Sequence, residues 1–152
     1  GTALHEVFEG KPAEAVVKRY GLHPAAAEEF AAKYAAFLAS PVMQNAVKSI
    51  CEQEVAYSFE GAPLNGVIDR LVQYADGSWM IIDYKTGKPS ARDLERYESQ
   101  LAVYFLWAKR LFGTDPGVCL YLSDTDEVVS FTMDEERAKG LVAEKMGERG
   151  VE

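Results

Sequence analysis

Cysteine is scarce in this chain of 152 residues, and its scarcity excludes several kinds of site. The two cysteines, Cys51 and Cys119, lie far apart and form no CxxC pair, so we expect neither a zinc site nor an iron–sulfur cluster held by four thiolates. Each is flanked by apolar residues and is predicted to be a small core residue.

Long apolar segments are missing as well. No run approaches the roughly 20 residues needed to cross a bilayer. No basic segment followed by an apolar one opens the chain, so we expect no secretion signal, no membrane contact and a cytoplasmic location. The chain starts without a methionine and inside a helical pattern, so residues 1–152 are expected to be a single domain cut from a longer polypeptide.

Positive charge is also in short supply. Lys and Arg number 16 against 24 Asp and Glu, a formal net charge of −8, which is unfavourable for a protein that binds nucleic acid over its whole surface. The charge is uneven, because residues 85–110 carry six basic and three acidic residues (net +3), whereas residues 124–152 carry nine acidic and four basic ones (net −5). A polyanion would meet the first segment and avoid the second. The alternative is that both segments are solvated helix faces of mixed sign.

The hydrophobic pattern predicts helices first and an alternation of strands and helices afterwards. Helices are predicted over residues 2–20 with a break at Pro12, over 23–40, from Pro41 to about Val47, over 93–112 and from 134 onward. One stripe of the second helix is expected to face the core, formed by Phe30, Tyr34, Phe37 and Leu38. Strands are predicted over residues 54–59, 64–74, 79–84, 118–122 and 128–133.

The lengths of the connections indicate how these strands pair. The short link between the second and third strands makes them antiparallel, whereas the long helix before the fourth strand permits a parallel neighbour. We therefore predict an α/β fold in which a mixed central sheet of about five strands is flanked by helices.

Charged residues inside two of the predicted strands are the strongest chemical signal. Asp69 lies in Gly66-Val-Ile-Asp-Arg70, and Asp83 and Lys85 lie in Ile82-Asp-Tyr-Lys-Thr-Gly87. A charge in an apolar strand is unfavourable unless it is paired or bound to a metal ion. Asp83 and Lys85 are two residues apart and share one face of an extended strand.

The position of Asp69 depends on the turn at Asp76-Gly77. A two-residue loop would pair Ala75 with Ser78 and would turn Asp69 away from the face of Asp83. A three-residue loop would pair Tyr74 with Ser78 and would place Asp69 directly opposite Asp83, with Cβ atoms roughly 5 Å apart. Two carboxylates that close repel unless a cation joins them, and hard oxygen ligands suit Mg²⁺ or Mn²⁺. The alternative is a cross-strand ion network in which Lys85 neutralises Asp83 and Arg70 neutralises another acid.

Three motifs, taken in order and spacing, resemble those of the PD-(D/E)XK nucleases. They are Gly66-Val-Ile-Asp69-Arg70, Asp83-Tyr-Lys85-Thr-Gly87 and Tyr97-x-x-Gln100-Leu101-x-x-Tyr104, preceded by His5, which matches a helical histidine of one group. That group is the RecB-type nuclease domain that ends RecB and AddA helicase–nuclease subunits. Its relatives with a four-cysteine cluster are a poorer match, because this chain has no such cluster. The chain also has no Walker motif, so the resemblance places a helicase motor upstream of Gly1.

The resemblance implies a restriction-endonuclease-like fold and assigns roles to specific residues. His5, Asp69, Asp83 and the backbone carbonyl of Tyr84 would bind Mg²⁺ or Mn²⁺. Lys85 would position or deprotonate the attacking water and stabilise the developing negative charge. The resemblance also implies that Gln100 and Tyr104 orient Lys85 or the scissile phosphate, and that Glu54, or its competitor Glu52, supports the site from outside the ligand set.

The function implied is DNA phosphodiester hydrolysis of the exonuclease type in bacterial double-strand-break repair. The DNA would be single-stranded ends delivered by the helicase, with an AddB- or RecC-like subunit as a further partner. Two rivals remain at this point: a nuclease fold that binds DNA or protein without cutting, and a nuclease of phage or mobile-element recombination. Without the resemblance, the alternative for His5 is a surface histidine paired with Glu9, and the alternatives for Gln100 and for Tyr97 and Tyr104 are a surface amide and core aromatics.

Overall fold

The computed structural model describes the backbone of residues 2–150 and the side chains of residues 2–147. Gly1 and residues 151–152, which the predicted domain also includes, lie outside that range. The α-helices are α1 (Thr2–Phe8), α2 (Ala13–Arg19), α3 (Ala25–Ala39), α4 (Ala91–Phe112) and α5 (Glu135–Gly150), with a short 3-10 turn at Pro41–Met43. The strands are β1 (Ala46–Phe59), β2 (Ala62–Tyr74), β3 (Trp79–Lys85), β4 (Gly117–Leu122) and β5 (Glu127–Phe131).

These strands form one mixed sheet in the order β1-β2-β3-β4-β5. Only β3 and β4 are parallel, and the connection between them is the long helix α4. The other neighbours are antiparallel. The predicted α/β class, the strand number and the mixed pairing are confirmed. Among the described residues, no helix has the length and apolar character needed to cross a membrane.

Two apolar layers hold the helices on opposite faces of the sheet. On one face, α4 and α5 pack over side chains of alternate strand positions such as Val55, Ile81 and Leu120. On the other, α1 and α3 pack over Val72, Ile82 and other residues of the intervening positions. The period of two along the strands therefore produces a helix–sheet–helix sandwich.

The ends of α4 are specified by the sequence. Its N-terminus is a capping box, in which the Ser90 side chain accepts the Asp93 N–H and the Asp93 carboxylate accepts the Ser90 N–H. Its C-terminus is Gly113, whose φ of 78° is in the left-handed region that glycine adopts without strain. Fixing both ends fixes which residues of α4 face the sheet.

Two predictions about the first half of the chain are wrong. The helix predicted from Pro41 to about Val47 is a single turn over Pro41–Met43, and β1 begins at Ala46, eight residues before the strand predicted from residue 54. Because β1 is an edge strand, residues such as Val47 and Ile50 are exposed and the alternation of apolar and polar residues is lost. Leu38 is also exposed, because the buried stripe of α3 is narrower than predicted and ends at Phe37.

Candidate active site

The turn between β2 and β3 decides the geometry of the site. The Tyr74 N–H donates to the Ser78 carbonyl oxygen at 2.9 Å, so three residues, with Gly77 at a φ of 89°, form the loop. The register continues through Gln73↔Trp79 to Arg70↔Ile82, one position short of Asp69 and Asp83. This is the three-residue alternative, and it places the two aspartates opposite each other.

The sheet forks at this position. Beyond the Arg70↔Ile82 pair, β2 continues to pair only with β1, and β3 only with β4. On the side of β3 that faces β2, the Tyr84 N–H has no backbone partner in β2 and donates instead to Asp69 Oδ2 at 2.8 Å. The fork therefore opens a space between two strands in which side chains replace the backbone ladder.

Asp69 and Asp83 are in contact in this fork. Their carboxyl groups share a hydrogen bond, and Lys85 Nζ lies 3.1 Å from Asp83 Oδ2. His5, from the last turn of α1, places its Nε2 atom 3.2 Å from Asp69 Oδ2. The structure thus brings together four of the predicted residues, together with the backbone of Tyr84.

Burial and hydrogen bonding together give the two aspartates different pKa values. Burial raises the pKa of Asp83 to about 7, the Asp69 carboxylate adds to the effect, and Lys85 only partly opposes it. Burial also acts to raise the pKa of Asp69, but hydrogen bonds from His5, Asp83 and the Tyr84 N–H outweigh it, so its net pKa is lowered. Asp69 is therefore the ionised member of the pair and accepts the proton that Asp83 carries. Without a second cation, the site resists holding two negative charges.

Tyr104 and Gln100 form the wall next to this pair on α4. Gln100 Nε2 donates to Tyr104 Oη at 2.9 Å, and burial raises the pKa of the Tyr104 phenol. The Tyr104 ring packs directly on Gly66, where a Cβ atom would lie 2.6 Å from Tyr104 Cε1. The glycine at this strand position therefore permits a close approach that a Cβ atom would block. Gln100 contacts Tyr104 rather than Lys85.

Tyr97 is a contact of Lys85 that the sequence analysis did not assign. The Lys85 Nζ atom lies 4.1 Å from the centre of the Tyr97 ring, close enough for a cation–π interaction. The signal was present, since Tyr97 lies one helical turn before Gln100 on the same helix. Tyr97 and Asp83 together hold the ammonium group at the mouth of the fork.

Glu52, and not Glu54, is the acidic residue of β1 that lies near the aspartates. Its backbone has a φ of 52°, and it lies between Cys51 and Gln53, which pair with Arg70 and Ile68 on either side of Asp69. Partial burial of its carboxyl group raises the pKa of Glu52 to about 7, and hydrogen bonding to Glu9 and the charge of Asp69 add to the effect. Glu52 and Glu54 are both exposed at the protein surface. The left-handed backbone of Glu52 interrupts the two-residue period of the strand, so counting alternate positions along an ideal strand does not place Glu52 beside Asp69.

Arg70 lies beneath the site and is almost fully buried, at 5% exposure. Its guanidinium donates to Tyr84 Oη at 2.8 Å, to Ser49 Oγ at 2.8 Å and to the Phe8 carbonyl oxygen at 2.5 Å. In the alternative ion network Arg70 would neutralise an acid, but the acceptors observed here are uncharged. Arg70 instead ties the end of α1, which carries His5, to β1 and β3.

Among the described side chains, no three His, Cys, Asp or Glu groups already stand as a metal-ligand set. Asp69 is instead satisfied by direct hydrogen bonds from His5, from Asp83 and from the Tyr84 N–H.

The remaining sequence predictions concern residues outside the site. Cys119 is buried and Cys51 half-buried, and both are free thiols. Trp79 and Trp107 pack against the core.

Two aspartates and a lysine thus meet at the fork of a mixed α/β sheet. A family model described as the PD-(D/E)XK nuclease superfamily matches residues 1–149, and the chain belongs to that superfamily. No curated protein matches the chain. One solved structure that the chain resembles is described as "Crystal structure of SSO0001"; it is 16% identical, with a TM-score of 0.44, and the match covers 95% of this chain and 73% of that one.

Proposed function

We propose that this chain hydrolyses DNA phosphodiester bonds with Mg²⁺ or Mn²⁺, as the nuclease domain of an AddA/RecB-like helicase–exonuclease in double-strand-break repair. Membership of the PD-(D/E)XK superfamily supports the nuclease activity. The observation that carries the proposal is the contact between Asp69 and Asp83, with the Lys85 ammonium 3.1 Å from the second carboxylate.

The residues at the fork have the chemistry of a divalent-cation site. Asp69 and Asp83 offer hard oxygen ligands, and the Tyr84 carbonyl between Asp83 and Lys85 offers another. His5 Nε2 and Asp69 Oδ2 are 3.2 Å apart, whereas two ligands at right angles around an ion at about 2.1 Å would lie about 3.0 Å apart. Burial and the neighbouring Asp69 raise the pKa of Asp83, and the charge of a bound divalent cation would oppose both effects.

A divalent ion bound here would lower the pKa of a coordinated water and polarise a phosphoryl oxygen. Lys85 supplies a fixed positive charge beside the acids, and it stabilises the negative charge that develops on the phosphate oxygens during attack. Asp83 and the Tyr97 ring hold that ammonium in place. Gln100 and Tyr104 form the adjacent wall, where their amide and hydroxyl orient the phosphate.

The assignment to a helicase–nuclease rests on the order of the motifs, which includes the helical His5, and on charge. A net charge of −8 gives the chain little affinity for DNA of its own. Single-stranded ends delivered by a helicase motor would remove the need for that affinity, and an AddB- or RecC-like subunit would be the further partner. On this proposal the chain is one domain of a longer cytoplasmic polypeptide.

Cleavage of a labelled single-stranded oligonucleotide in Mg²⁺ or Mn²⁺ tests the activity. We expect the wild-type chain to cut, and D83A and K85A each to lose at least about 100-fold in rate, because each removes electrostatic stabilisation of the transition state. E54Q and K88A are matched controls, since they remove an exposed carboxylate of β1 and a lysine three residues beyond Lys85. Cleavage that survives both D83A and K85A contradicts the mechanism, and wild-type binding without cleavage supports the binding-module alternative.

A further inference from the structure

A groove runs along the protein surface directly next to the proposed active site. It has a volume of about 470 Å³ and lies between α4, α5 and the first residues of β2. Gln100 and Tyr104 line it at one end, and Arg96 and Lys145 line it farther along. We call it the α4–α5 groove. A ligand in it would therefore extend from the site itself.

The charge of this groove is opposite to that of the chain. Of the side chains that the structure describes, through residue 147, Arg96 and Lys145 line it and no carboxylate does, although the chain carries a net charge of −8. Arg96 is 70% exposed and its contact with Asp93 spans 3.3 Å, and an exposed pair of that kind contributes little. Arg96 can therefore exchange Asp93 for a phosphate at low energetic cost.

The groove continues past Arg96 and Lys145 into a second depression between α4 and α5. That depression is nearly balanced in charge, because Glu95, Glu98 and Glu144 line it together with the cations. Its Arg137 is already bound to Glu98, with N–O distances of 2.8–3.1 Å. The positive character is thus confined to the part of the groove nearest the site.

Aromatic and apolar side chains form the rest of the lining. The Tyr97 ring lies 4.1 Å from Lys85 Nζ and 5.3 Å from the Arg96 guanidinium carbon, so it links the site to the groove. Leu64, Val142 and Met146 add an apolar surface. Cations that contact the backbone, alternating with rings and apolar groups that contact bases, are the features by which proteins hold single-stranded nucleic acid.

We propose that the α4–α5 groove binds the nucleotides of a single DNA strand that flank the scissile bond. Arg96 and Lys145 contact backbone phosphates, and Tyr97 with the apolar surface contacts a base. This inference rests on the proposed function, because the reacting phosphate is taken to lie beside Lys85. The inference gives helix α5, which carries none of the motif residues, a role in binding the DNA strand.

Binding of a fluorescent oligo(dT), followed by anisotropy in EDTA so that no strand is cut, tests the assignment. The double variant R96A/K145A is compared with K18A/R110A, which removes the same charge from exposed positions outside the groove. For a single strand, each phosphate contact contributes about 0.7 to the slope of log K against log salt, so R96A/K145A should lower the slope by about 1.4. If the affinities converge near 1 M salt, this slope corresponds to an affinity about 25-fold weaker at about 0.1 M.

Equal slopes and affinities for the two double variants would overturn the proposal. Turnover of bis(p-nitrophenyl) phosphate, which has no flanking nucleotide, should stay within about twofold of wild type in R96A/K145A, because only remote binding is removed. A loss there as large as on oligo(dT) would mean that the groove merely supports the site, which also overturns it. If wild-type protein cuts neither substrate but R96A/K145A still lowers the slope, the proposed function fails, and the groove is a single-strand binding surface that flanks no scissile bond.

Discussion

Asp83 is a charge that the fold buries at an energetic cost, and its replacement by Asn tests that cost. Burial and the neighbouring Asp69 raise its pKa from 3.8 to about 7. At about 1.36 kcal/mol per pH unit, this difference corresponds to at most about 4 kcal/mol of destabilisation once Asp83 is ionised. Taking about half of this upper bound, we expect D83N to be more stable than wild type by about 2 kcal/mol at pH 8 without divalent ions.

The sign of the pH dependence follows from proton binding. Between pH 4 and pH 7 the folded protein keeps the Asp83 proton and the unfolded chain has lost it, so wild-type stability falls as the pH rises through this window. D83N has no such proton, and its advantage should be less than half as large at pH 5 as at pH 8. Urea denaturation in EDTA at both pH values measures this difference, with E54Q as the exposed-carboxylate control. An advantage that is absent at pH 8, or equal at both pH values, would refute the reasoning.

Three further substitutions test how the site is held. G66A should lower the stability by about 1–3 kcal/mol in thermal denaturation, and should also slow cleavage, because its Cβ atom would lie 2.6 Å from Tyr104 Cε1. A variant as active as wild type would contradict the close packing. R70M should destabilise the protein by about 2 kcal/mol or more and weaken Mn²⁺ binding, because it removes the hydrogen bond that anchors the end of α1 at Phe8. An unchanged Mn²⁺ affinity, measured by calorimetry, would show that Arg70 does not position the ligands. H5A should weaken Mn²⁺ binding more than Mg²⁺ binding, because imidazole nitrogen is a softer ligand than oxygen. Equal losses of affinity for the two ions in parallel titrations would argue against His5 as a ligand.

Much of the fold was predictable because its signals are local. Pro12 separates α1 from α2, and the Gly77 turn and the alternating strands on either side of it specify the β2–β3 hairpin. The choice between a two- and a three-residue loop could not be made from sequence, because both place turn-forming residues correctly. The hydrogen bond between Tyr74 and Ser78 decides it.

The residues that sequence analysis missed lie where tertiary contacts override the strand and helix periods. The first half of β1 is an exposed edge, and its apolar residues are not buried in alternation. Glu52 has a left-handed backbone conformation that no pattern of residue types indicates. Tyr97 and Arg70 were visible in the motifs, but their partners, Lys85 and the end of α1, depend on how the helices pack on the sheet.

Titration with Mn²⁺, followed by electron paramagnetic resonance of the free ion, tests the central claim that Asp69 and Asp83 jointly hold a divalent cation. The account predicts a site in the wild-type chain that D69N and D83N each abolish, while E54Q, which alters an exposed carboxylate on the neighbouring strand, leaves it intact. Mn²⁺ binding that persists unchanged in both D69N and D83N would contradict the account.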